Sequence, residues 1–319
     1  MGRSEPQPPA PLITVRVSRI EPIALDTRLL ELTTAECEPL PGATPGAHIE
    51  VHLSEGLVRH YSVLTPLSTA RSYVIAVKRA LAGRGGSQRL HEQVTLGSEL
   101  LIGRPRNNFT LNESAADSIL LAGGIGITPL YAMFERLQEI KRKVHLHYWS
   151  RSPAHTLFGD HLQCHPDVTL HHSAAGRETI TSVLGRADRQ CELYCCGPEG
   201  MLREFELAVQ SRGTQSWHVE RFGATVEQEA GSEFSVVLAK SRTEVLVHRG
   251  ETILSALRDA AIDVAYSCEE GVCGACEVRF LAGEPLHRDR VRTAAEHDRL
   301  CTVMICCAGS KTKRLTLDL

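Results

Sequence analysis

The sequence predicts a multidomain fold: an antiparallel β-barrel or sandwich, a doubly wound α/β domain, and a small α+β domain built around a cysteine loop. Three observations predict it. Residues 12–112 hold short alternating apolar runs separated by turn signals, and residues 113–224 alternate strand-like with helix-like segments. Residues 233–319 follow a polar linker, 225–232, and carry six of the eleven cysteines. A chain of 319 residues is also long for a single core, which rarely grows beyond ~250–300 residues.

In the first segment the runs ITVRVSRI (13–20), RLLELT (28–33), HIEVHL (48–53) and SYVIAV (72–77) alternate as strands do when one face meets a core, and Pro41-Gly42 and Pro45-Gly46 mark turns between them. In the second, SILLAGG (118–124) is apolar on both faces and ends in glycines, which suits a buried parallel strand. LYAMFERLQEI (130–140) has helical periodicity, and VHLHYWS (144–150) and ELYCCG (192–197) read as further strands of one parallel sheet. The third segment opens with FSVVLA and TEVLVH, a hairpin, followed by a helix at 252–261 with Thr252 as its cap.

A formal net charge of -3 argues against nucleic acid as the main partner, because phosphate binding favours a positive surplus. The longest charge-free run, 118–134, has only 17 residues and is broken by Gly123, Gly124, Gly126 and Pro129, so no membrane span is expected. The N-terminus lacks an apolar signal core, and Pro6 stands where a myristoylation signal at Gly2 needs Ser or Thr. Residues 1–11 read as a disordered, Pro-rich lead. An odd number of cysteines without a signal peptide points to a reducing cytoplasm and to thiolates held by metal rather than to a disulfide framework.

Cys268, Cys273 and Cys276 stand at spacing Cys-x4-Cys-x2-Cys, and Cys306 follows at a distance. This is the arrangement of a plant-type [2Fe–2S] cluster, in which three thiolates on one tight loop and a fourth from elsewhere enclose two irons. Gly271 and Gly274 suit such a loop by permitting positive φ. Zinc is the alternative, but it favours paired Cys-x2-Cys knuckles, and only one such pair is present. Cys307 rivals Cys306 as fourth ligand; Cys301 reads as a spare thiol, and Cys37, Cys164 and Cys191 as small apolar residues. A cluster of this type carries one electron, whereas nicotinamide gives up two together as hydride. If nicotinamide is the donor, a flavin that accepts two and releases one must stand between them.

Sites for both are readable. RHYS (59–62) sets an arginine and a serine close together on one strand, where they could hold a phosphate or a ring edge, with Tyr61 packing on the ring. GRGGS (83–87) precedes a short helical stretch and makes either a phosphate cradle or a hairpin tip. LLAGGIGITPL (120–130) and CCGPEGM (195–201) each close a strand and open a helix; neither is the usual dinucleotide fingerprint, but strand carboxyl ends are where open α/β sheets bind ligands. Thr128 could reach a bound ring, and Cys196 could lie beside the hydride-transfer point; a packing turn and a strand-end core are the plainer readings.

With these motifs in this order, residues 12–319 resemble the phthalate dioxygenase reductase family, a branch of the ferredoxin–NADP reductase superfamily with a C-terminal ferredoxin. The resemblance implies an FMN-binding barrel at 12–112, an NAD-binding domain at 113–224 and a β-grasp [2Fe–2S] domain at 233–319. It assigns Arg59, Tyr61, Ser62, Lys78, Gly85, Gly86, Ser87 and Phe222 to FMN. Gly123, Gly124, Gly126, Thr128, Pro129, Cys196, Gly197 and Pro198 fall to the nicotinamide side, and Cys268, Cys273, Cys276 and Cys306 to the cluster. Hydride is then expected to pass from NADH to FMN near Thr128 and Cys196, and single electrons to pass through the cluster to a Rieske non-haem iron oxygenase, from a cytoplasmic monomer. Two departures stand out. Cys306 is followed by CAGSK rather than CVSRA, and Arg151-Ser152 stands where some relatives carry an acid, which leaves NADPH as an alternative to NADH. Delivery to a cytochrome P450, or a non-catalytic electron carrier or sensor, are the competing roles. His145, His147, His165, His171 and His172 form no metal spacing, His287 reads as part of a solvated turn, and Trp149 and Trp217 read as core.

Overall fold

The computed structural model describes all residues except 1–10, 35–37, 54–56, 65–70, 81–84, 174–177, 215, 223–231, 267–268, 270, 272–273, 290 and 293. The chain divides into two compact units, the first ending at Phe222 and the second spanning Gly223–Leu319. Of the predicted N-terminal lead only Pro11, and of the predicted linker only Ser232, lie among the described residues.

The first unit opens with six antiparallel strands: β1 (Ile13–Ala24), β2 (Thr27–Thr33), β3 (His48–His52), β4 (Val58–Ser62), β5 (Ser72–Lys78) and β6 (Glu99–Ile102). Their order is β4-β3-β6-β1-β2-β5. Just past β4, Val63 bridges to Ile75 and the Leu64 N–H donates to the Val74 carbonyl at 2.8 Å, so the two outer strands meet and the sheet closes as a barrel. Closure removes free edges. The period of two along each strand sends Val15, Val17, Leu30, Leu32, Ile49, Val51, Ile75 and Val77 inward. Helix α1 (Gly86–Glu92) adds Leu90 to that core. RHYS falls on β4 as read, whereas β6 escaped the periodicity reading because it is only four residues long.

A parallel sheet follows, built as β7 (Asp117–Gly123), α2 (Ile127–Glu139), β8 (Lys143–Ser150), α3 (Gly159–Leu162), β9 (Val168–His172), α4 (Ile180–Arg186), β10 (Glu192–Cys196), α5 (Glu199–Arg212) and β11 (Trp217–Glu220). The order β11-β10-β7-β8-β9 shows that the chain leaves β7 in one direction and returns on its other side at β10. The carboxyl ends of β7 and β10 are therefore the topological switch point, where such sheets bind ligands. Helix α2 turns Ile127, Leu130, Met133, Phe134 and Leu137 onto the sheet, the stripe its periodicity predicts.

Barrel and parallel sheet share one core. Leu29, Val74 and Ala76, on the outward faces of β2 and β5, pack with Phe109, Leu111, Leu120, Phe134 and Tyr194. The Tyr194 hydroxyl accepts the Asn112 N–H at 2.8 Å, and its ring meets Phe109 edge-on. That β5 is apolar on both faces, SYVIAV, is the sequence trace of this double burial.

The second unit carries β12 (Phe234–Leu238), β13 (Thr243–Val247), α6 (Ile253–Asp259), β14 (Glu277–Ala282), β15 (Pro285–Leu286), α7 (Ala294–Leu300), β16 (Thr302–Met304), β17 (Gly309–Ser310) and β18 (Arg314–Leu317). Strands β12 and β13 form the predicted hairpin, inside a mixed sheet ordered β13-β12-β18-β14-β16. Thr252 caps α6: its Oγ1 accepts the Ser255 N–H at 3.0 Å, and Ser255 Oγ accepts the Thr252 N–H at 3.2 Å. The helix buries Ile253, Leu254, Ala256 and Leu257 against Val236, Val247, Leu315 and Leu317. Among the described residues no helix is long and apolar enough to cross a membrane.

Candidate functional site

At the switch point the two predicted loops touch. A Cβ on Gly126 would lie 2.3 Å from the Cys196 carbonyl oxygen, and one on Gly123 would lie 2.5 Å from Met201 Sδ and 2.7 Å from Pro198 Cδ. These glycines let one loop seat on the other, so the packing role left open by the sequence is the one they fill. Gly124 differs: its φ is +55° and nothing crowds its Cβ position, so its backbone faces open space.

That space is a cavity of about 340 Å³, lined by Gly123, Gly124, Pro198, Met201 and Trp149 from the sheet domain and by Leu25, Thr27 and Lys78 from the barrel. Arg151, Ser150 and His155 complete the wall. Lys78 ends β5 and Arg151 follows β8, so two distant chain segments put two cations on one cavity. Burial, and then the charge of Arg151, hold the Lys78 ammonium below the usual lysine range. Such a wall attracts an anionic ligand. The sequence grouped Lys78 with GRGGS; it also lines this cavity.

Thr128 and Cys196 are not on that wall. Thr128 Oγ1 donates to the Ile125 carbonyl at 3.0 Å and closes the turn into α2. Cys196 is fully buried among Leu120, Ala122 and Phe134, and burial pushes its thiol well above the usual range. Pro129 is buried in the first turn of α2, and Gly197 packs beneath Met201. Trp149 is mostly buried, as expected, yet it also reaches the cavity from the end of β8.

On the barrel, Arg59 and Tyr61 lie on β4, paired with Val51 and Ile49, and Ser62 is paired with His48. Arg59 and Ser62 are three positions apart and so face opposite sides of the strand, which places them on different parts of any group they share. Arg59 instead meets GRGGS: a Cβ on Gly86 would lie 2.6 Å from Arg59 Nε. The guanidinium thus crosses the start of α1, with Gly85 at its N-cap and φ +75°. Ser87 Oγ accepts the Ala80 N–H at 3.1 Å, bracing the same turn; Gly83 and Arg84 lie outside the described residues. Ser62 Oγ is buried and without a hydrogen-bond partner among the described residues. Phe222 follows β11 as an exposed aromatic. An arginine over a glycine turn, an orphaned hydroxyl and a free aromatic fit a ring carrying a phosphate.

One residue escaped the sequence reading. Glu220, at the end of β11, pairs in register with Cys196. Its Oε2 is buried and without a partner among the described residues, although the residue keeps a partly exposed flank. Burial raises its carboxyl to about 8, so it is largely protonated at neutral pH. A carboxylate in the apolar strand WHVE was the available signal.

In the second unit, Cys276 and Cys306 are both buried, and the Ile305 N–H donates to the Cys276 carbonyl at 3.3 Å, drawing the two segments together. Cys268 and Cys273 lie outside the described residues. Gly271 and Gly274 have φ of +66° and +77°, as a loop wrapped around a cluster requires. Cys307 is also buried; its Sγ donates to the Met304 carbonyl at 3.7 Å and lies 2.6 Å from the Cβ position of Gly271, so this sulfur too sits against the cysteine loop. Cys301 is half-buried and Cys191 buried, whereas Cys164 is exposed, contrary to its reading as a small apolar residue; Cys37 lies outside the described residues.

Residues 236–310 match the family of 2Fe-2S iron-sulfur cluster binding domains. Over 310 residues the chain is 39% identical to the phenoxybenzoate dioxygenase subunit beta of Ectopseudomonas oleovorans, spanning 96% of this chain and 97% of that protein. It is 34% identical over 315 residues to the phthalate dioxygenase reductase of Burkholderia cepacia, spanning 96% and 97%. A solved structure of phthalate dioxygenase reductase, titled as modular for electron transfer from pyridine nucleotides to [2Fe–2S], matches with a TM-score of 0.77 at 34% identity, covering 97% of this chain and 98% of that one. An intact type IV self-sufficient cytochrome P450 monooxygenase matches with a TM-score of 0.81 at 35% identity, covering 97% of this chain and 41% of that one.

Proposed function

The chain belongs to the phthalate dioxygenase reductase family, oxidoreductases that serve oxygenases, and on that footing we propose that it takes hydride from NADH and delivers single electrons to a Rieske non-haem iron oxygenase. The observation that carries this reading is the cation-lined cavity at the switch point in a chain that also bears the cluster cysteines. When bound, FMN would supply the exchange of one two-electron donation for two single ones, and a [2Fe–2S] cluster held by the cysteines would supply one-electron transfer.

The protein's own groups bind and orient. Lys78 and Arg151 hold the dinucleotide phosphates, while Gly124 offers its backbone to the nucleotide. Arg59 and the start of α1 hold the flavin phosphate, Ser62 Oγ donates toward the ring edge, and the family resemblance favours FMN over FAD. Tyr61 and Phe222 flank the ring. Thr128 and Cys196 act by shape, fixing the loops that the nicotinamide lies against. Glu220, kept neutral by burial, adds no charge beside them. Cys268, Cys273, Cys276 and Cys306 hold the cluster, with Cys307 turned to the Met304 carbonyl. This reading treats the protein as a monomer.

Identifying the flavin released on denaturation tests FMN against FAD. Comparing kcat/KM for NADH and NADPH tests the donor, and Arg151 with Ser152 is the feature that would admit a 2′-phosphate. A cytochrome P450 acceptor is the second reading, favoured by the match to the self-sufficient enzyme. Reconstitution with each acceptor class separates the two. A non-catalytic carrier would show no NADH-dependent cytochrome c reduction.

A further inference from the structure

The segment after β15 is built against the cluster loop at three points. Asp289 backs Gly271, whose Cβ position lies 3.1 Å from Asp289 Cα. Val291 Cγ1 lies 3.4 Å from the Cβ position of Gly274. Arg292 makes a two-point ion pair with Glu277, at 2.6 and 2.9 Å, on the residue directly after Cys276. All three contacts therefore fall within the ten residues from Cys268 to Glu277, on glycines with positive φ and on a ligand's neighbour.

What fixes this segment is buried and polar. Asp289 Oδ2 accepts the N–H groups of Val291 and Arg292, both at 3.2 Å, which sets their turn. Asp289 Oδ1 accepts from His297 Nε2 at 2.8 Å, and both side chains are fully buried. His297 Nδ1 meets Thr302 Oγ1 at 3.2 Å, at the start of β16, the strand that leads to Cys306. The His287 ring stacks on His297 at 4.1 Å and 4°, so it is not the solvated turn that the sequence suggested. These side chains could be taken for a metal site, since their donor atoms all lie within 4.8 Å of one another. Parallel stacked imidazoles, however, send their lone pairs along parallel planes and do not converge on one ion.

We propose that Asp289 and His297 are positioning residues that brace the cluster loop and thereby set the lability and electronic environment of the [2Fe–2S] cluster. The path runs from Thr302 through His297 and Asp289 to Gly271, and through the Asp289 turn to Val291 and Arg292. Groups that orient the surroundings of metal ligands are costly to remove, with losses of about 10–100-fold in metal retention or activity. The inference rests on the reading of the chain as a cluster-bearing reductase.

The test uses the full-length protein as purified, with Asp289→Asn, His297→Gln and the partly exposed Arg292→Gln. Cluster bleaching under excess chelator, the midpoint potential and the electron paramagnetic resonance spectrum of the reduced cluster are measured, with NADH–ferricyanide reduction recorded alongside to confirm that the first unit is loaded. Faster bleaching, by about 10–100-fold, together with a shifted potential or altered signal in Asp289→Asn and His297→Gln, is expected. Arg292→Gln should change the same readouts in the same direction to a smaller degree. If the two buried variants fail to fold, Arg292→Gln alone decides. A folded variant set with unchanged bleaching, potential and signal overturns the brace. A wild-type protein with no iron signal overturns the reductase reading instead, so the two failures are distinct.

Discussion

The two cofactor regions are built on opposite principles. In the first unit the cavity is assembled from remote pieces: Lys78 at a barrel strand end, Arg151 after β8, and two glycine loops that meet because β7 and β10 are neighbours. In the second, the cysteines proposed as ligands and the segment packed against their loop lie within 268–306, and the contacts are local hydrogen bonds and one ion pair. A site of the first kind fails when packing between modules fails. One of the second kind fails when a single buried contact is lost.

The largest effect that sharpens this contrast is Cys276→Ser. It should bring cytochrome c reduction to background while ferricyanide reduction by the first unit continues; loss of neither activity would break the assigned electron path. Next is Gly126→Val, which forces a side chain into the Cys196 carbonyl. Overpacking of this kind costs about 1–3 kcal/mol, so the first unit should unfold at lower temperature, while the visible spectrum of the cluster domain is unchanged. Equal destabilisation of both units would show that they are not independent.

An effect of comparable size is expected for Lys78→Ala. Loss of a charge-assisted phosphate contact, worth about 1.5–3 kcal/mol, should raise KM for the nucleotide roughly tenfold or more with little change in kcat. An unchanged KM would remove Lys78 from the nucleotide site. The last concerns Glu220. Its folded-state value, about 8, lies above that of an exposed carboxyl, so the native state binds the extra proton between the two. Its contribution to stability is complete at acid pH and is lost as pH rises toward 8, at up to roughly 1.4 kcal/mol per pH unit. Glu220→Gln should flatten the fall in stability between about pH 5 and 8, measured by denaturant unfolding; parallel curves would mean that Glu220 is solvated.

The sequence was legible where chemistry imposes spacing or periodicity. The cysteine loop, the capped helix α6, the hairpin of β12 and β13 and the two glycine loops could all be read from neighbouring residues. What escaped depends on contacts between segments far apart in the chain. Lys78 looked like part of the adjacent GRGGS motif because nothing local reveals that β5 ends on the cavity. Arg59 and Ser62 are close in sequence, but the alternation of β4 turns them to opposite faces, and what each one meets is set by remote segments. Glu220 was marked only by its place in the short strand WHVE, and Asp289 looks like an ordinary surface acid until its burial and its bond to His297, eight residues along the chain, are seen.

The central claim is that one chain carries electrons from a pyridine nucleotide to its own cluster. An anaerobic NADH titration of the purified protein, followed by visible absorption and electron paramagnetic resonance, tests it directly. The account predicts bleaching of a flavin spectrum together with a rhombic one-electron iron–sulfur signal that grows with added NADH. Flavin reduction with no iron–sulfur signal would contradict it and would leave the C-terminal cysteines without the electron-carrying role assigned to them.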